Sequence, residues 1–172
     1  MLKGKKIVLG VTGGIAVYKA VDLVSRLRKQ GCEVRVVMTE HAQQFVTPLT
    51  FKEISGNAVA TSMWNSNQEF NVEHIALANW ADAFLVAPAT ANILAKMTYG
   101  IADDLLSTTL LAAQAPIVVC PAMNTGMYEN PITQKNLDLC RSYGYDAKPR
   151  YYCNAACFRT SCLRHQRPWP SA

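Results

Sequence analysis

The 172-residue sequence has no apolar run approaching the ~18 residues of a membrane-spanning helix, so no transmembrane segment is expected. Its opening, Met1-Leu2-Lys3-Gly4-Lys5-Lys6, leads into a short apolar stretch cut off by Thr12-Gly13-Gly14. That stretch is too short for a secretory signal core and no small-residue cleavage site follows it, so a cytoplasmic location is expected. No internal repeat is present, and no basic stripe of the kind that tracks nucleic acid. Acidic residues are missing from one segment altogether: residues 149–172 contain Arg150, Arg159, Arg164 and Arg167 and no Asp or Glu. The chain's net charge of +5 is therefore local. The first 148 residues carry thirteen basic and twelve acidic groups, which speaks against a nucleic-acid or membrane partner.

A paired cysteine framework is lacking too. Of six cysteines, Cys32, Cys120 and Cys140 are isolated and read as small buried hydrophobes. Cys153, Cys157 and Cys162 cluster with His165 in the arginine-rich segment, at spacings that match no common zinc pattern. No metal site is expected. That segment also lacks a sustained period of 2 or 3.6.

What is present in residues 1–148 is alternation. Residues 6–11 read as a strand broken by Thr12-Gly13-Gly14, and 15–30 as a helix stopped by Gly31. Residues 33–38 read as a second strand. Short helices are expected over 40–45 and 48–54, a strand over 58–63, and a helix over 72–79. A buried strand over 82–87 should end at Pro88. Helices over 92–97 and 103–113, a strand over 117–120 and a helix over 131–142 complete the pattern. Strand, glycine turn, helix and parallel strand imply an α/β doubly wound, three-layer fold of Rossmann-like (flavodoxin-like) type with a mainly parallel sheet. Ligands bind such sheets outside the carboxyl ends of the strands.

The informative residues fall there. Gly13 and Gly14 open a helix, where free N–H groups and the helix dipole favour an anion. It is not the dinucleotide fingerprint, because Val17 stands at the third glycine position, and a plain tight turn remains open. Thr39 and Thr90 are placed to cap the helices that follow them, a role compatible with ligand binding. Asp103-Asp104 reads as a dipole-favoured helix start rather than a metal pair. His74 lies on a semi-buried helix, whereas His41 and His165 have no chemical neighbourhood. Met123 and Met127 read as core, and Asn124 as a maker of local turn bonds.

Five segments occur in order: Gly13-Gly14-Ile15-Ala16-x-Tyr18-Lys19, His74-Ile75-x-Leu77-x-x-Trp80-Ala81-Asp82, Ala87-Pro88-Ala89-Thr90-Ala91-Asn92, Gly100-x-Ala102-Asp103-Asp104-Leu105-Leu106-Ser107 and Pro121-Ala122-Met123-Asn124-x-x-Met127-Tyr128. Together they resemble the flavin-containing cysteine decarboxylases. Within these they look most like the N-terminal part of the bacterial bifunctional phosphopantothenoylcysteine decarboxylase/phosphopantothenate–cysteine ligases. The resemblance implies an FMN-binding decarboxylase domain over residues 1–148, assembled as trimers or as dodecamers of trimers with FMN near a subunit interface. It implies FMN contacts from Gly13, Gly14, Ile15, Thr39, Thr90, Ala91, Asn92, Ile93 and Ala122. It makes His74 the catalytic histidine, with Asn124 holding the substrate carboxylate or the adjoining amide and Met123 beside it as a substrate-binding residue. The implied reaction is decarboxylation of 4′-phosphopantothenoylcysteine to 4′-phosphopantetheine in coenzyme A biosynthesis. A cysteine derivative has no electron sink for the carbanion, and FMN would provide one by transient oxidation at the thiol-bearing carbon. The alternatives are a peptidyl-cysteine decarboxylase, a flavin prenyltransferase-like protein and a non-catalytic flavin-binding regulatory subunit.

Residues 149–172 depart from the resemblance. Family members carry a clamp of the form Ala-Cys-Gly-x-x-Gly-x-Gly-Arg, and this segment does not. Codons compatible with residues 156–172, read one base later, spell Pro-Ala-Ser-Gly-Arg-Leu-Ala-Cys-Gly-Thr-Ser-Gly-His-Gly-Arg-Leu. The segment is therefore expected to be a frame-shifted reading, with the slip near residues 145–155 and the clamp cysteine lost.

Overall fold

The computed structural model describes residues 2–64 and 73–148. Six strands form one sheet: β1 (Lys6–Val11), β2 (Glu33–Met38), β3 (Val59–Ala60), β4 (Ala83–Ala89), β5 (Ile117–Pro121) and β6 (Asp146–Ala147). Their spatial order is β3-β2-β1-β4-β5-β6 and every pairing is parallel. The helices are α1 (Val17–Lys29), α2 (Glu40–Gln43), α3 (Pro48–Ser55), α4 (Glu73–Trp80), α5 (Ala91–Tyr99), α6 (Leu105–Ala112), α7 (Thr125–Glu129) and α8 (Pro131–Ser142).

Alternate residues of each strand feed opposite cores, as the two-residue period requires. Ile7, Leu9 and Val11 of β1 join Val17, Leu23, Val24 and Leu27 of α1 and Phe51 of α3. Val8 of β1, with Phe84 and Val86 of β4, meets Leu77 of α4, Ile93 and Leu94 of α5, Leu106 of α6 and Leu137 of α8. A parallel sheet covered on both faces needs this double-sided apolar strand composition. The three isolated cysteines behave as small hydrophobes: Cys32, Cys120 and Cys140 are buried. Burial raises the Cys32 thiol pKa, and it pushes that of Cys140 up to about 11 despite the opposing Arg141 charge. Among the described residues no helix is long and apolar enough to cross a membrane.

The elements follow the expected order, with instructive differences. Strand β4 does not end at Pro88 but continues through it to Ala89. Its pairing with β1 is complete at Val86, and its register with β5 shifts between Val86 and Ala89, so no ladder bond needs the proline's missing N–H. The Ala87–Pro88 bond is cis. Helix α1 starts two residues later than expected, after a turn in which Val17 N–H donates to the Gly14 carbonyl at 2.9 Å. The strand expected over 58–63 shrinks to Val59–Ala60. Helix α7 and strand β6 are additions to the sequence reading. Both are short, and neither offers enough residues for a period to emerge.

Candidate functional site

The strand order reverses at β1, whose neighbours lead to β2 and β3 on one side and to β4, β5 and β6 on the other. The crevice beyond such a switch point is where open α/β sheets bind ligands. Here it is a cleft of about 600 Å³, within the ~300–1,000 Å³ range of small-molecule sites. Its walls come from the ends of three strands: Thr12 and Gly13 after β1, Thr39, Glu40 and His41 after β2, and Thr90, Ala91, Asn92 and Ile93 after β4. Lys96, Asp103, Asp104 and Met127 complete it.

Thr12 ties two walls together. Its buried Oγ1 donates to the Pro88 carbonyl at 2.7 Å and accepts from the Thr90 N–H at 3.1 Å. Thr90 in turn caps α5, its Oγ1 accepting from the Ile93 N–H at 3.4 Å. Helix α1 has no such side-chain cap, since its N-cap residue is Ala16. Its first-turn N–H groups have no carbonyl partner within the helix. A Cβ placed on Gly14 would stand 3.6 Å from Thr90 Cγ2, so the starts of α1 and α5 lie side by side. The start of α5 lies on the cleft wall with the glycine loop beside it, a setting for an anion.

The acidic pair has a structural role. Asp104 forms a capping box with Ser107 at the start of α6, as a dipole-favoured helix start should. Asp103 and Asp104 also bind Lys96 Nζ at 2.5 and 2.7 Å. Burial alone would lower the Lys96 pKa and raise that of Asp104. Their hydrogen bonds and mutual attraction, with Ser107 helping Asp104, reverse both, leaving Lys96 raised and Asp104 lowered. A carboxylate with a lowered folded pKa stabilises above its unfolded pKa, and that stabilisation is lost as pH falls through the folded value. Asp104→Ala is expected to lower stability at pH 7 by about 1–2 kcal/mol through the lost cap and ion pair. Asp104→Asn keeps a capping oxygen, so its deficit should be smaller and should vanish in acid. Urea unfolding midpoints measured from pH 7 to pH 3 check both.

Of the residues assigned from sequence, Gly13, Thr39, Thr90, Ala91, Asn92 and Ile93 are brought together on this cleft. Thr39 is the N-cap residue of α2 without a side-chain cap bond, and its hydroxyl lies 3.5 Å from the Val11 carbonyl. Gly14 and Ile15 follow Gly13 in the chain without lining the cleft, and Ile15 is 78% exposed. Ala122 lies elsewhere, in a small hollow with Ala16, Lys19, Ala20 and Pro88, and its N–H is tied to the Ala89 carbonyl at 2.9 Å. Met123 is half-buried against the core, as expected. Asn124 is exposed and caps α7, its side chain accepting from the Gly126 N–H at 2.8 Å, the local turn bond expected of it. His74 is half-buried in the first turn of α4 and is not on the cleft wall.

Two residues correct the sequence reading. Met127, taken for core, is 51% exposed and lines the cleft. His41, assigned no chemical neighbourhood, faces the same cleft as Gly13 and Thr90. Cys153, Cys157, Cys162 and His165 lie outside the described residues.

A doubly wound parallel sheet with a glycine loop and a helix N-terminus at its switch point places the chain among the ligand-binding α/β folds. The comparisons narrow the class. The chain belongs to the Flavoprotein family, whose profile matches residues 1–163. It is 52% identical over 145 residues to the Coenzyme A biosynthesis bifunctional protein CoaBC of Haemophilus influenzae. That match covers 84% of this chain and 36% of the relative, so the chain spans about a third of the relative's length. Among solved structures, the FMN-dependent cysteine decarboxylase SpaF superposes with a TM-score of 0.81 at 36% identity, covering 86% of this chain and 85% of that one. A PPC decarboxylase mutant complexed with pantothenoylaminoethenethiol superposes with a TM-score of 0.76 at 30% identity, covering 86% and 82%.

Proposed function

We propose that this chain is an FMN-dependent carbon–carbon lyase that decarboxylates 4′-phosphopantothenoylcysteine to 4′-phosphopantetheine in coenzyme A biosynthesis, in the cytoplasm. The observation that carries the reading is the cleft at the β1/β4 switch point, where six residues assigned to FMN from sequence converge. The residues present fit a flavin phosphate. Thr39 and Thr90 line the cleft beside the glycine loop, and the start of α1 carries no side-chain cap. The names of the relatives agree with the substrate class.

FMN, when bound, supplies the electron sink that a cysteine carboxylate lacks. The chain's own residues do the rest. The helix starts around Gly13, Gly14 and Thr90 hold the phosphate end. Asn124 orients the substrate carboxylate with uncharged hydrogen bonds. His74 moves a proton to or from the substrate. Its position off the cleft wall of a single chain agrees with a homo-oligomer, trimeric or dodecameric, in which α4 of one copy approaches the cleft of another.

Residues 1–148 form the decarboxylase domain in this reading. Residues 149–172 are a frame-shifted segment in place of the substrate clamp, a point that sequencing the coding DNA decides. Loss of the clamp cysteine should slow the final reduction more than the loss of CO2.

The test is the absorbance spectrum of the purified chain before and after adding 4′-phosphopantothenoylcysteine, with CO2 and thiol product measured. A yellow protein that bleaches and releases CO2, with phosphopantetheine lagging behind, is expected. A colourless protein overturns the reading. So does a yellow one that leaves this substrate intact but decarboxylates a peptide's C-terminal cysteine.

A further inference from the structure

The phosphate setting proposed for the cleft rests on backbone amides and hydroxyls and draws little on charged side chains. Its described charged side chains are one cation, Lys96, against three carboxylates, Glu40, Asp103 and Asp104. Lys96 is already committed to Asp103 and Asp104, at 2.5 and 2.7 Å, with its side chain only 16% exposed. A phosphate monoester carrying about −1.5 to −2 charges would meet backbone amides there but no unpaired lysine or arginine among the lining residues. One lining side chain can still add positive charge. His41, in α2, is exposed, and no carboxylate is paired with it among the described residues. It sits against the glycine loop itself: a Cβ on Gly13 would lie 2.5 Å from His41 Cβ and 2.8 Å from its carbonyl carbon.

We infer that His41 is a cofactor-specificity residue, a cationic contact to the phosphate of FMN that makes the site prefer FMN over riboflavin. This rests on the FMN reading above. Glu40 on the same helix, Lys96 on α5, and Asp103 and Asp104 before α6 are the charged groups that share the cleft with it. A phosphate arriving opposite Gly13 receives a charge-assisted hydrogen bond from the His41 imidazolium.

The experiment compares FMN and riboflavin dissociation constants, read by quenching of flavin fluorescence, for the full chain freed of flavin and its His41→Gln and His41→Lys variants. The His41 atoms nearest a Cβ on Gly13 are its Cβ and its carbonyl carbon and oxygen, which both replacements keep. His41→Gln is expected to weaken FMN by about tenfold or more and to leave riboflavin within about twofold. His41→Lys should retain most of the FMN affinity. Equal weakening of both flavins, or FMN affinity unchanged in His41→Gln, overturns the role of His41 alone. A wild-type chain that binds neither flavin overturns the FMN reading with it.

Discussion

His74→Asn is expected to abolish CO2 release from 4′-phosphopantothenoylcysteine while the purified protein stays yellow. A positioned general acid or base contributes about 10²–10⁴-fold, so the loss should exceed anything a change in binding would produce. Asparagine is close to histidine in size and keeps hydrogen-bonding atoms, but it cannot carry a proton near neutral pH. His74 is half-buried in the first turn of α4, whose core contacts are made by Leu77 and Ala78. The replacement should therefore leave the α4–α6 packing intact, and a thermal midpoint within a few degrees of wild type would show it. Beside it, burial raises the Glu73 carboxyl pKa, so the start of α4 is a partly desolvated setting in which a proton carrier is effective. The cleft walls are made by other residues, so flavin content is not expected to fall. If the variant is purified colourless, His74 has a structural role. If it releases CO2 at the wild-type rate, His74 leaves the mechanism.

The two separated outcomes matter because the sequence made the two parts of the site legible to different degrees. Strands β1 and β2 were legible residue for residue, since both are short β-branched runs with hard stops: Thr12-Gly13-Gly14 after one, and a polar Thr39-Glu40 after the other. The strand-end residues of the cleft were legible for the same reason, because strand ends are where such sheets bind ligands. Lys96 was not, as it lies in mid-helix and reaches the cleft only through the packing of α5 beside α6. His41 was hidden differently. Nothing in Thr39-Glu40-His41 says that the backbone of α2 will press on the loop after β1. That contact depends on β2 lying next to β1 in parallel register, with Val11 opposite Met38. Met127 was misread because α7 is too short for its exposed side to show in the pattern.

That same contact fixes the second large effect. Gly13→Ala is expected to destabilise the chain by about 1–3 kcal/mol and to weaken FMN binding by well over tenfold. The reason is contact rather than dihedral: Gly13 is not among the glycines with positive φ. Its added Cβ would stand 2.5 Å from His41 Cβ, 2.8 Å from His41 C and 3.0 Å from the His41 carbonyl oxygen. These are Cβ and backbone atoms, so no side-chain rotation can make room. Either α2 moves away or the loop from Thr12 to Ala16 does. Moving the loop drags Thr12, whose hydroxyl joins Pro88 and Thr90, and so displaces the start of α5 as well. Moving α2 takes Thr39 and His41 off the cleft. Either way the donors that must meet one phosphate no longer converge, and misplacement of this kind is amplified in binding. Gly14→Ala is the matched control. Its Cβ would meet Thr90 Cγ2 at 3.6 Å, ordinary van der Waals contact, so stability should hold. Urea midpoints and flavin titrations of the two variants side by side decide the matter. If Gly13→Ala matches Gly14→Ala in both, the apposition of α2 and the glycine loop does not build the site.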